Sequence, residues 1–289
     1  MPADYHVHYY LDQCASNDMT LPNIVAAAKQ AGLQEITVLK HYSSQFPNGR
    51  AQYESWYRII PGAYEHYLYD MVVFPSQQGL VVHNGVETEL VNERGDINIE
   101  IEQQHRVDMV ALSVHFMPYL DVLDLNSGNY PFVLSPNSDA YRASIGPWLH
   151  KVQQTGAENI IRGLVKAYCN AIRRYPKIRT LAHMADGLEP LRLHHIAVDQ
   201  VPTDTLVRLM EPLMFCMRKH RVLWELHTAP IRQKDILYRA NELGVRFCAT
   251  ADAHFITGGW ANISDHRKAD KIISDLSLNR GYVEFQIII

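Results

Sequence analysis

The chain has 289 residues, 47% of them hydrophobic, and a net charge of −4 from 27 basic and 31 acidic side chains. That is enough for one large core, and it lacks the basic run that grips a phosphate backbone, which argues against a dedicated nucleic-acid binder. No apolar stretch reaches the roughly 20 residues that cross a bilayer, so no membrane partner is expected. Cys14, Cys169, Cys216 and Cys248 show no C-x-x-C spacing, which argues against a zinc ribbon or a disulfide framework. The start lacks the basic and apolar regions of a signal peptide, so a reduced, cytoplasmic protein is expected.

The first predicted strand, Tyr5 to Tyr10, follows Asp4 and carries His6 and His8 on one face, because successive strand side chains alternate. A helix from Ile24 to Ala31 has Thr20 as N-cap and Pro22 near its first turn, and Gly32 ends it. Glu35 to Lys40 is the second strand and runs into His41. Residues 42–79 then break the rhythm with a loop and an aromatic segment (Tyr53, Trp56, Tyr57, Tyr64, Tyr67, Tyr69). That segment is helical in pieces around Pro61-Gly62, and reads as core packing or as a lid. Leu80 to Val86 is the third strand, ending in Glu87. Ile97 to His105 is a short helix, and Met109 to Val114 a fourth strand ending in His115. A second irregular stretch spans 116–148; loops this long are usually functional or disordered.

Glu158 to Tyr175 is helical, with Ile161, Leu164, Val165, Tyr168 and Ile172 on one stripe. Lys177 to Ala182 is the fifth strand, ending in His183. Thr203 caps a helix to His220, and Val222 to Leu226 is the sixth strand, ending in His227. Gln233 to Leu243 is a helix stopped by Gly244. Val245 to Thr250 is the seventh strand, leading to Asp252 and His254. A last helix covers about 264–278, and Tyr282 to Ile289 is extended. Alternating strands and helices imply a parallel sheet in a single domain over 1–289.

Every predicted strand thus ends in a potential ligand. In order these are His6 and His8, His41, Glu87, His115, His183, His227, then Asp252 and His254. Parallel α/β folds gather such strand ends at one mouth. Fifteen histidines, as many as the glycines, make that clustering conspicuous. Imidazole and carboxylate donors suit Zn²⁺, Mn²⁺ or Fe rather than Ca²⁺. The donors outnumber one tetrahedral site, so two or three divalent ions are expected.

Along nearly its whole length this pattern resembles the PHP (polymerase and histidinol phosphatase) superfamily. Asp4-Tyr5-His6-Val7-His8 is similar to that family's D-x-H-x-H, His41 to its second-strand histidine and Gly85-Val86-Glu87 to its G-x-E. Ser113-Val114-His115 is similar to its S-x-H, Leu181-Ala182-His183 to its fifth-strand G/A-H, and Ala251-Asp252-Ala253-His254 to its closing S-D-A-H. The length and spacing look most like the histidinol-phosphate phosphatase branch. The resemblance implies a distorted (β/α)7 barrel with the metal site at the C-terminal ends of its strands. It implies a first ion on His6, His8, Glu87 and Asp252. A second would sit on Glu87, His115 and His183, and a third on His41 and His254. It implies a metal-dependent phosphomonoesterase that converts L-histidinol phosphate to L-histidinol and phosphate in histidine biosynthesis. Hydroxide on the Glu87-bridged pair would attack phosphorus, with Glu87 and Asp252 catalytic through the ions they hold.

The chain departs from the family in four places. Cys14 stands where a third-ion histidine is usual, so Cys14 as thiolate, or Asp12, is a candidate ligand there. Lys40 replaces an aspartate before His41, Asp186 lies three rather than two places after His183, and His227 replaces an asparagine. His227 is expected to contact substrate or pack in the mouth rather than to bind metal. Substrate choice is expected in the two irregular stretches. Glu89, Asp139 and the tyrosines are candidates for the organic part, and Arg142 and Lys40 for the phosphate. Three rival readings remain. The first is a PHP-type phosphodiesterase or exonuclease. The second is an amidohydrolase-like C–N hydrolase, for which Lys40 is poorly placed to be the carboxylated lysine. The third is a non-enzymatic, metal-binding or degenerate structural barrel.

Overall fold

Seven short apolar runs become seven parallel strands in the order β1 to β7: β1 (Ala3–His8), β2 (Glu35–His41), β3 (Val81–Glu89), β4 (Met109–Ser113), β5 (Ile178–Leu181), β6 (Leu223–Leu226) and β7 (Phe247–Ala249). The computed structural model describes residues 2–12, 14–42, 62–74, 79–123 and 139–285, without the side chains of 139–144. Parallel strands covered on both faces read as near-continuous hydrophobic runs. The sheet curls until its ends nearly meet. Val7 bridges Ala253 in parallel, the His8 N–H donates to the Ala253 carbonyl at 2.9 Å, and the Ala253 N–H donates to the His6 carbonyl at 3.2 Å. The result is a distorted (β/α)7 barrel.

The helices are α1 (Leu21–Gln30), α2 (Ala63–Val73), α3 (Ile101–Gln104), α4 (Asp139–Thr155), α5 (Ala157–Arg174), α6 (Glu189–Leu193), α7 (Thr203–His220), α8 (Lys234–Glu242) and α9 (His266–Asp275). The stripe read from α5 is the face it buries: Ile161, Leu164, Val165, Tyr168 and Ile172 are all in the core. Among the described residues no helix is long and apolar enough to cross a membrane.

Alternation divides the barrel interior into two levels. Ala3, Tyr5, Leu39, Met109, Ala111, Ala182, Leu223, Cys248 and Val283 form an apolar plug. Further along the same inward rows the side chains turn polar: Leu39 gives way to His41, Gly85 to Glu87 and Glu89, and Leu223 to Glu225. Gly85 belongs to the plug because nothing larger fits. A Cβ there would stand 2.6 Å from Leu39 Cδ2 and 2.9 Å from Thr37 Cγ2. Gly85→Ala is therefore expected to lower the unfolding free energy by about 1–3 kcal/mol, read from the denaturant midpoint.

The structure corrects several local expectations. The first strand begins at Ala3 rather than Tyr5 and ends at His8. The predicted 97–105 helix shrinks to α3. A helix, α4 with Pro147 inside it, occupies the end of the second irregular stretch. Pro202, not Thr203, is the N-cap of α7, and Thr203 Oγ1 bonds the Gln233 side chain instead. In the aromatic insert Tyr67 packs in the core, with its hydroxyl 2.7 Å from the Val38 carbonyl, whereas Tyr69 is exposed. Tyr53, Trp56 and Tyr57 lie outside the described residues. The extended C-terminal piece starts earlier than read, with Phe247 bonded to Asn279 and Gly281.

Candidate metal centre

One irregularity aims the centre. Between Asp4 and Val7 the pairing of β1 with β2 slips, so β1 carries one residue more than its partner. Tyr5 can then point into the plug while His6 and His8 also point inward above it. Asp4 holds the bulge: its carboxylate accepts from the His6 N–H at 3.0 Å and the Ala251 N–H at 3.1 Å. At the mouth His183 (φ 38°) and Asp252 (φ 49°) have left-handed backbones, a conformation uncommon for side chains with a Cβ.

Glu87 lies at the centre, fully buried, and its two oxygens face different histidines. Oε2 is 3.3 Å from His6 Nε2, 3.5 Å from His8 Nε2 and 3.2 Å from His41 Nδ1. Oε1 is 2.7 Å from His183 Nε2 and 3.5 Å from His115 Nε2. Asp252 Oδ1 lies 3.3 Å from His6 Nε2 and 3.2 Å from His8 Nε2. Among the described residues, donor atoms within 4.8 Å of one another form four groups: His6, His8 and Glu87; His6, His183 and Asp252; Glu87, His115 and His183; and His8, Cys14, His41 and His254.

The far nitrogens decide what this cluster wants. His6 Nδ1 is 2.9 Å from Glu225 Oε2, His8 Nδ1 is 3.1 Å from Asp12 Oδ2, and His115 Nδ1 is bonded to Glu89. A carboxylate at Nδ1 assigns the proton there and leaves Nε2 as a bare lone pair. His6 Nε2 and His8 Nε2 are nevertheless 3.1 Å apart, with carboxylate oxygens on either side. Lone pairs packed this closely repel unless a cation lies among them. Glu87 Oε2, buried and without a hydrogen bond among the described residues, has the same requirement. The residues therefore fit divalent metal, and nitrogen and oxygen donors without a cage of carbonyls fit Zn²⁺, Mn²⁺ or Fe.

Electrostatics tell the same story with protons. Burial would push Glu87 up, but the imidazoles of His41, His6, His115 and His183 hold it well below the usual carboxylate range. Asp252 is likewise held down, against burial, by His254, His6 and His8. Burial opposes charge on His115, yet Glu89 and Glu87 push it up to about 9. His254 falls to about 3 and His227 to about 4, both chiefly through burial.

The sequence-derived candidates His6, His8, His41, Glu87, His115, His183, Asp252 and His254 all meet here, with Cys14 beside them. His227 stands at the rim, its ring centroid 6.1 Å from that of His183, and joins none of the donor groups among the described residues. Asp12 binds the far side of His8 rather than reaching in, and Lys40 is buried in an ion pair with Asp12 and does not line the cavity above the cluster. Glu89 is buried behind His115 and forms no wall for substrate. The side chains of Arg142 and Asp139 lie outside the described residues. Sequence reasoning missed Glu225 altogether; its one signal was an acidic residue inside the apolar run LWEL. Glu225→Gln is expected to weaken metal binding by about 10–100-fold, measured by competition with a chromophoric chelator.

The cluster floors a cavity of about 420 Å³ whose walls include Val114, Glu189, Pro190, Leu193, His227 and Trp260. A cavity of about 690 Å³ lies elsewhere, between Leu149–Asn159 and His195–Pro202, and no donor group borders it among the described residues.

No family model and no curated sequence matches the chain. Solved structures do. Histidinol phosphate phosphatase from Lactococcus lactis subsp. lactis Il1403, complexed with Zn, L-histidinol and phosphate, superposes with a TM-score of 0.57 at 15% identity, over 98% of this chain and 97% of its own. A candidate histidinol phosphatase from Listeria monocytogenes gives 0.56 at 14% identity, over 88% of this chain and 96% of its own. At such identities the likeness is one of fold, and the chain has the fold of the histidinol phosphate phosphatase structures.

Proposed function

We propose that this chain is a metal-dependent phosphomonoesterase, of the histidinol-phosphate phosphatase type. The observation that carries the reading is the division of Glu87, one oxygen toward His6 and His8 and the other toward His115 and His183. A carboxylate so placed would bridge two ions. His6, His8, Glu87 and Asp252 would hold the first, Glu87, His115 and His183 the second, and His41 with His254 a third. Such ions, when bound, lower the pKa of water toward 7 and polarise phosphoryl oxygens, which suits the slow hydrolysis of phosphate monoesters.

The chain's own groups do the rest. Glu225, Asp12 and Glu89 fix the tautomers of His6, His8 and His115, so those rings need no reorganisation. His227, kept neutral by burial, has an Nδ1 without a hydrogen-bond partner among the described residues and borders the cavity. It is suited to a phosphoryl or leaving-group oxygen. His227→Ala is expected to lower kcat/KM about 100-fold with metal content unchanged, checked by steady-state kinetics beside elemental analysis.

The cavity is within the size range of small-ligand sites. The Lactococcus protein's complex with L-histidinol and phosphate is what favours histidinol phosphate as the ester. The test is elemental analysis of the purified protein together with a panel of substrates. Bound divalent metal and phosphate release, greatest from histidinol phosphate, is the expected result. Nucleotide release from oligonucleotides without monoester cleavage would replace the reading with a phosphodiesterase, and cleavage of C–N bonds alone with an amidohydrolase.

A further inference from the structure

The group of His8, Cys14, His41 and His254 differs in kind from the other three: it alone, among the described residues, contains sulfur. His8 Nε2 already faces Glu87 and Asp252, which leaves Cys14, His41 and His254 as the donors peculiar to this corner. His254 Nδ1 lies 2.7 Å from the Asp252 carbonyl, to which it donates, so its Nε2 keeps the lone pair. Two imidazoles, one sulfur and an open side bordering the cavity match the layout of a three-ligand metal position with a vacant fourth place.

Building on the phosphatase reading above, we infer that Cys14 binds the third ion as a thiolate and makes that position selective for a thiophilic metal. Binding breaks the Cys14 S–H bond, forms a sulfur–metal bond and releases one proton to solvent per ion. Soft thiolate favours Zn²⁺ or Co²⁺ over Mn²⁺, whereas the two positions built on Glu87 offer only nitrogen and oxygen. The protein is thus expected to take Mn²⁺ at two positions and to require zinc or cobalt at the third.

The other cysteines cannot mimic the signal. Cys169 and Cys216 sit on α5 and α7, with Cys169 Sγ on the Pro212 carbonyl and Cys216 Sγ on the Cys169 carbonyl, and Cys248 lies in the apolar plug. The experiment strips the full chain with chelator and reloads it with Co²⁺. A sulfur-to-cobalt charge-transfer band in the near ultraviolet is expected. It is lost in Cys14→Ser while the visible d–d absorption of the other ions persists. Cys14→His is expected to restore the missing equivalent of cobalt without the band. In the unmutated protein, bound cobalt is expected to protect Cys14 from iodoacetamide, which keeps the test open should a variant fail to fold. Cobalt bound with d–d absorption but no charge-transfer band, and Cys14 freely alkylated, would overturn the inference and leave the phosphatase reading standing. Failure of the chain to bind any cobalt would overturn both.

Discussion

On the phosphatase reading, Glu87→Gln is expected to abolish phosphate release, lowering kcat on the order of 10⁴-fold, which corresponds to about 5 kcal/mol of transition-state stabilisation. The substitution keeps the shape of the side chain and removes its charge. It also puts an amide NH₂ where Glu87 now offers a second oxygen to the surrounding imidazoles. A bridging carboxylate serves both members of an ion pair, so one change costs two positions and the loss exceeds that from any single histidine. The fold survives, because the apolar plug from Ala3 to Val283 lies below Glu87 and does not depend on it. Kinetics, metal analysis and circular dichroism on the same preparation check each part. Turnover at the wild-type rate by a variant that has lost its metal would remove the mechanism.

The line between what the residues announced and what they hid follows from range. Each strand was legible because a strand buried on both faces is a run of apolar residues, and each candidate ligand stood out because it lies at or near the end of such a run. His6 and His8 share a face by simple alternation. The bulge that lets Tyr5 point inward beside them was not legible, since it depends on Asp4 reaching Ala251, 247 residues away. Glu225 was hidden for the same reason, because its work is done on the far nitrogen of His6, a histidine from another strand. Asp12, four residues after His8, reads as a candidate ligand of the third ion, whereas it bonds the far nitrogen of His8. Lys40 and Glu89 were misplaced as substrate contacts because exposure cannot be read from residue type: both are buried against partners that only the barrel brings near. The helix α4 escaped because Gly146 and Pro147 signal a break, and here the proline is carried inside the helix.

If the cluster holds divalent ions as proposed, stripping them is expected to destabilise the protein, and the gap between loaded and stripped forms is expected to widen as pH rises from about 6.5 to 9. Without metal, the carboxylates of Glu87, Asp252, Glu225, Asp12 and Glu89 are balanced by protonated imidazoles. Burial resists that charge, yet Glu225 and Glu87 hold His6 well above its ordinary value, Asp12 and Asp252 raise His8, and Glu89 and Glu87 push His115 up to about 9. A histidine with a raised folded pKa contributes stability that is fully present below its unfolded value, near 6.5, and lost as pH climbs through the folded value. The stripped protein therefore loses stability, on the order of a few kcal/mol, across that window. His254 and His227 shift the other way, to about 3 and about 4, so their contribution is present above about 6.5 and cannot offset a loss on the alkaline side. In the loaded protein the ions take the place of those protons, and ligand deprotonation makes metal affinity rise with pH. An ion held at about 1,000 times its Kd adds about 4 kcal/mol. Thermal unfolding of stripped and zinc-loaded, desalted protein at pH 6.5 and 9 measures the difference. A gap that stays constant or narrows toward pH 9 would mean that the imidazoles, not the ions, neutralise this cluster, and the metal centre would have to be abandoned.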